Sequence, residues 1–276
     1  MELDRRHFIA TLGGAAAVKL MSSEAKAEAL ESYMIQQLNG RPQAAPSSQP
    51  KKFPTAAEVD AQIENRSYRR GVGNLFLTTQ SGAKVKHLAP MPAKPTFVDF
   101  FNLRFQSTSN HVLQSANLAM KHGMQEDIIL ACLLHDTVHA LMKTDHGYWG
   151  SDLYRPYVSD RTHFAVRYHQ ALRFYEDKDA GYFYPDMYRS MFGEDYKPLP
   201  HIEADYKMVK AHKWYDAPRQ VTVNDLYAFE PGLVVTLDPF IEIINRNFKQ
   251  PKEGLGNDNS PSAHMWRSIA MPDNPL

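Results

Sequence analysis

The chain has 276 residues, 43% of them hydrophobic, with 31 basic against 31 acidic side chains and no net formal charge. That length can bury one substantial core, and the neutral balance removes any general attraction for nucleic acid or anionic membranes. The lone cysteine, Cys132, excludes an internal disulfide; among Ala131, Leu133 and Leu134 it reads as a small buried thiol rather than a nucleophile.

The chain opens with a charged stretch and then small and apolar residues up to Val18. Adjacent Arg5 and Arg6, followed by Phe8 and Ile9, resemble the twin-arginine signal, which exports folded proteins. Ala25 and Ala27 supply a cleavage pattern. Residues 1–27 are therefore expected to be a signal peptide, the twin-arginine machinery a partner, and the mature protein periplasmic or otherwise exported. The alternative is an amphipathic helix with a chance arginine pair. The apolar segment is too short to span a membrane, Lys19 interrupts it, and no cysteine is placed for lipidation, so no stable membrane anchor is expected. Removing residues 1–27 takes away four of 31 basic and three of 31 acidic side chains, leaving 27 against 28.

Residues 28–54 read as a linker, with a short helix over Glu28–Leu38 and then a run rich in Pro, Gln and Ser. Residues 55–276 read as one all-α domain with a C-terminal extension. Pro90, Pro92 and Pro95 break its first part, and helical periodicity sets in at Asp99. Val112, Leu113, Ala116, Ala119 and Met120 mark a helix that stops near Gly123. Ile128, Ile129, Cys132, Leu133 and Val138 mark a second. A third is capped by Ser159 and carries Phe164, Ala165, Tyr168 and Leu172. A fourth spans Ile202 to Tyr215. Aromatic and Pro-bearing loops join them, Leu233–Leu237 is the one strand candidate, and the tail from Gln250 reads as ordered loop packed on the helices.

The chemistry concentrates on His135 and Asp136, which end an apolar helix. A buried imidazole beside a buried carboxylate must be satisfied, and a metal ion satisfies both. His111, His146 (in the loop from Thr144 to Gly150 beyond that helix), His169 and Asp225 add the same donor types. Any one alone is more often structural: a core histidine bonded to a carbonyl, or, for Asp225, a helix N-cap. Together, four His and two Asp occur in an order that a helical bundle can converge on two ions bridged by a carboxylate. Asp145 competes with His146, and Asp216 with Asp225. His139, one turn after His135, is a candidate catalytic residue that touches substrate or moves a proton, or else a support for a ligand. Arg167 and Arg173, flanking His169, are candidates for holding an anionic substrate group, or else paired with acids.

This order of residues, over roughly 98–230, resembles the HD-domain superfamily of metal-dependent enzymes. Its six-ligand pattern is similar to the HD-domain di-iron oxygenases of the myo-inositol oxygenase and phosphonate-cleaving type. Gly150 to Asp160 with Ala165 to His169 resembles the phosphonate enzyme, and Asp225-Leu-Tyr227 the inositol enzyme. The resemblance implies an HD-type helical bundle and two metal ions, iron in the oxygenase reading. The substrate would be a small hydroxylated organic molecule whose C–H bond is attacked with dioxygen. The same ligand order occurs in HD phosphohydrolases, which run with Mn, Mg or Zn. A non-catalytic metal- or ligand-binding protein is the third reading. There is no phosphate-binding Gly-rich loop, G-x-S-x-G turn or H-E-x-x-H motif.

Overall fold

The computed structural model describes residues 23–38, 88–143, 145–184, 188–189, 193 and 196–271. The twin-arginine motif and the Pro-rich run 39–54 lie outside the described residues. Those described form ten α-helices, one 3-10 turn at Asp238–Phe240 and no strand, as expected for an all-α chain. In chain order they are α1 (Ser23–Leu38), α2 (Phe97–Leu103), α3 (Ser109–Lys121), α4 (Glu126–Leu134) and α5 (His146–Tyr154). There follow α6 (Asp160–Leu172), α7 (Pro200–Lys210), α8 (Asp216–Leu226), α9 (Ile241–Asn247) and α10 (Ala263–Ala270). No helix among the described residues is long and apolar enough to cross a membrane.

Local signals set the helix ends. Thr96 accepts a hydrogen bond from the Asp99 backbone while the Asp99 carboxylate accepts from Thr96, a reciprocal cap on α2. Ser159 caps α6 through the Thr162 amide, where sequence reasoning placed it; such caps contribute about 1 kcal/mol each. Gly123, with φ 65°, follows α3. The fourth expected helix, Ile202 to Tyr215, is shorter: α7 stops at Lys210, and a separate helix, α8, begins at Asp216 just beyond the expected span.

At the centre, α6 packs on α4, α5 and α8, while α3 packs on α4 and α8. Every residue from Ile128 to Leu134 is buried, so α4 is sheathed all round rather than on one stripe. Cys132 lies within it, and burial pushes its thiol up to about 12, consistent with packing rather than reactivity.

Three placements differ from expectation. His146 opens a helix, α5, and is not in a loop. Leu233–Leu237 is irregular: Gln114 donates to the Leu233 carbonyl, Val234 is 81% exposed, and no described strand lies alongside. The described tail is loop only as far as Ser262; it then forms α10, which buries Trp266 completely against Phe100, Phe105, Tyr154 and Tyr157. The helix expected over Glu28–Leu38 starts earlier, at Ser23 inside the span read as signal peptide, and it docks. Ala27, Leu30, Glu31, Met34 and Ile35 are buried at three- and four-residue spacing.

Truncating Trp266 empties the space among those four rings. Trp266→Ala is expected to lower unfolding free energy by about 3–5 kcal/mol, read as a fall in the urea midpoint. A loss under about 1 kcal/mol would mean that α10 is not part of the cooperative core.

Candidate metal centre

Four helices and one turn deliver the site. The turn after α4 carries His135, Asp136 and His139, α3 carries His111, α5 His146, α6 His169 and α8 Asp225. All six residues named as ligands from sequence come together. His111, His135, Asp136 and Asp225 each place one ligand atom within 4.8 Å of the others; Asp136, His146 and His169 do the same. Asp136 is common to both groups. The competitors fall outside: Asp145 is exposed with φ 55°, and Asp216 is half-exposed and paired with Arg161 at 2.6 Å.

The distances suit donors gathered around ions. His111 Nε2 lies 3.1 Å from Asp225 Oδ1, 3.3 Å from His135 Nε2 and 3.5 Å from Asp136 Oδ2. His135 Nε2 lies 3.5 Å from Asp136 Oδ1 and 3.6 Å from Asp225 Oδ1. In the second group Asp136 Oδ1 is 2.7 Å from His146 Nε2 and 3.7 Å from His169 Nε2. Ligands about 2.1 Å from one ion stand about 3.0 Å apart in an octahedron and about 3.4 Å in a tetrahedron.

The backbone fixes which nitrogen points inward. His135 Nδ1 faces the Cys132 carbonyl at 2.8 Å, His146 Nδ1 that of Lys143 at 3.0 Å, and His169 Nδ1 that of Val166 at 2.7 Å. His111 Nδ1 faces Ala228 at 3.3 Å. With Nδ1–H donated to a carbonyl, each neutral ring turns the Nε2 lone pair to the centre, as metal ligation requires. A core histidine has no such need of convergence. Neither Asp136 oxygen has a well-formed hydrogen bond, and nor does His169 Nε2, although all are buried. Buried polar atoms left in this way are costly, and two cations would satisfy them. The donor set therefore fits a pair of metal ions.

Charge follows the same geometry. Burial alone would raise the Asp136 carboxyl, but the imidazoles of His135, His146 and His169 overcome this and hold it well below the usual range. Burial opposes Asp225 too, and its contacts with His111 and His135 bring it down. His135, disfavoured as a cation by burial, is raised by Asp136 and Asp225.

Supporting contacts lock the crossing of α6 and α8. Thr222 donates to the His169 carbonyl at 2.8 Å, and buried Arg219 donates to the Leu172 carbonyl at 3.1 Å. Phe229 stacks on His111 with centroids 4.4 Å apart. Gly147 donates to Gln170 Oε1 at 2.7 Å, so closely that a Cβ there would lie 2.8 Å from that oxygen and 3.0 Å from His169 Cε1.

His139 is buried with its ring 4.9 Å from that of His146. Arg167 lies over the Tyr148 ring at 4.1 Å and 3.5 Å from Asp152, so that acid serves the arginine. Arg173 is buried and donates to Glu31 at 2.9 Å. Both arginines line a cavity of about 250 Å³ with Tyr148, Gln170, His201 and Asp205. His264 is exposed on α10. Sequence reasoning missed Glu31, which burial, with Asp136 and Asp225, pushes well above the ordinary carboxylate range. Its signal was an acid on the apolar side of α1.

Residues 108–190 match the HD domain family. That stretch contains His111, His135, Asp136, His146 and His169, while Glu31 and Asp225 lie outside it. No curated protein matches the chain.

Two measurements follow from this packing. Gly147→Ala is expected to keep the helical circular dichroism and to reduce bound metal severalfold in elemental analysis; unchanged metal content would show that Gln170 and His169 yield freely. The depressed carboxyls of Asp136 and Asp225 stabilise the metal-free fold above the ordinary carboxylate pKa of about 4, and this is lost as pH falls toward their folded values. The urea midpoint of chelator-treated protein should therefore drop as pH falls from about 5 to about 2.5, and Asp225→Asn should shrink that drop. A variant tracking wild type would remove Asp225 from the network.

Proposed function

We propose that this chain, which carries an HD domain at its centre, is a dinuclear metalloenzyme. Within that class we read it as an oxygenase that attacks a small hydroxylated organic molecule with two iron ions. One observation carries the proposal: a single carboxylate, Asp136, is shared by two buried imidazole-rich groups. Four imidazoles to two carboxylates is a donor set that suits redox-active iron and is less typical of magnesium, which takes oxygen ligands. The similarity to HD-domain di-iron oxygenases noted in the sequence supports the same choice. When bound, the ion pair supplies one-electron redox chemistry with dioxygen that side chains lack.

The residues around the pair have separate tasks. Asp136, shared by the two groups of donors, would serve both ions, and the carbonyls behind His111, His135, His146 and His169 keep their rings oriented. Complete burial of the six ligands excludes bulk water, which strengthens every electrostatic contact inside. His139, beside His146, would hold or move a proton near the substrate. Arg167, in the wall of a cavity that none of the six ligands lines, would hold an anionic group of the substrate, while Arg173 is committed to Glu31. We also propose export through the twin-arginine route, supported by Arg5, Arg6 and the apolar residues after them; the fold would then acquire its metal before crossing.

The test is made on protein purified without oxygen. Close to two irons per chain, with substrate oxidation that stops when dioxygen is withheld, is the expected result. Phosphate release without oxygen by protein loaded with Mn, Mg or Zn would replace the oxygenase reading with an HD phosphohydrolase. Two tightly held ions with neither activity across both substrate panels would favour a non-catalytic binding protein.

A further inference from the structure

Glu31, His139 and His146 form a third group whose ligand atoms lie within 4.8 Å of one another, all buried. Two of its members belong to neither metal position described above. Glu31 reaches the group from α1, which packs on α3. Arg173 Nη1 donates to Glu31 Oε2 at 2.9 Å, which fixes the plane of the carboxylate. Glu31 Oε1 is left buried with no hydrogen-bond partner. A buried carboxylate oxygen in that state, beside two imidazoles, lacks a cation or a donor.

His146 decides what the group can do. Its Nδ1 faces the Lys143 carbonyl at 3.0 Å and its Nε2 faces Asp136 at 2.7 Å, so it has one lone pair to give to one ion at a time. A cation held by Glu31, His139 and His146 therefore excludes another held by Asp136, His146 and His169. We propose that Glu31, His139 and His146 form an outer position for a divalent transition ion, from which the second ion of the pair passes inward with His146 as the shared ligand. Two imidazoles among three donors select zinc, iron(II), cobalt(II) or manganese(II) over calcium. The proposal rests on the dinuclear reading and adds the route by which its second position fills. It also gives α1 a task, since the outer position is complete only when that helix is docked.

The test loads chelator-treated full chain with cobalt(II) alone, following uptake by visible absorption and final stoichiometry by elemental analysis. Wild type is expected to take two ions in two phases. Glu31→Gln should reach the same total with its second phase slowed about tenfold or more, in line with the effect of ligand-supporting groups on metal binding. His169→Ala, which removes an inner ligand, should still hold two ions, and the Glu31→Gln, His169→Ala double variant only one. Equal second-phase rates in wild type and Glu31→Gln overturn the outer position. So does a folded His169→Ala that holds one ion, or a double variant that still holds two. If His169→Ala loses its helical circular dichroism, the rate comparison decides alone. A wild type that never exceeds one ion overturns the dinuclear reading and the outer position with it, a result distinct from two ions loaded at equal rates.

Discussion

Asp136 is the residue on which the rest of the molecule is organised. Its carboxylate sits at zero exposure among His111, His135, His146 and His169, with Asp225 across His111 and His135 from it. Burying a carboxylate with too few donors costs several kcal/mol even after the protein relaxes. Two such groups in one pocket need positive charge beside them, which without metal has to come from protonated imidazoles. Cations resolve this, and they do so while keeping every ring in the tautomer the backbone imposes.

That demand explains why the ligands ride on helices packed at the centre rather than on long loops. Side chains on packed helices hold their positions more tightly than those on loops. The central helix α6 touches α4, α5 and α8, and all four carry ligands or lead into the turn that does. Thr222 and Arg219 tie α8 to carbonyls of α6 at His169 and Leu172, so the crossing that sets Asp225 against the imidazoles is fixed by hydrogen bonds as well as apolar contact. Gly147 brings α5 close enough to α6 for Gln170 to accept its amide. Polar supports of this kind are worth keeping in a core only if all their members are satisfied.

The parts of this arrangement that sequence could reveal are those with strong local physics. An apolar run ending in His135 and Asp136, a serine capping α6, and helical spacing in α3 are each legible because one element decides them. The strand expected at Leu233–Leu237 failed because β-branched residues there have no partner strand, and a side chain, Gln114, takes the backbone instead. His146 was read as loop because Gly147 and Gly150 disfavour helix. Their reason is tertiary: a Cβ at Gly150 would lie 3.1 Å from Val138, and one at Gly147 closer still to Gln170. Asp216 and Asp225 begin and nearly end the same helix, nine residues apart. At about 100° per residue that separation puts them on opposite faces, so only one can reach the centre. Which one does is decided by Arg161, on α6, pairing with Asp216 at the surface.

Glu31 shows the limit of reading elements one at a time. Its helix has a modest apolar stripe, and the acid interrupts that stripe at a position where Leu30 and Met34 go inside. Taken alone, such a residue argues against burial. It is buried because Arg173, equally buried and 142 residues away in sequence, meets it there. Each member of that pair makes the other easier to bury. Glu31 also lies beyond Ala27, so cleavage after that residue would leave the carboxylate, Leu30, Met34 and Ile35 on the mature chain. On the proposed export route the chain crosses already folded. The Glu31–Arg173 pair would then form in the compartment where metal is loaded, and α1 would reach the far side already docked beside the group it completes.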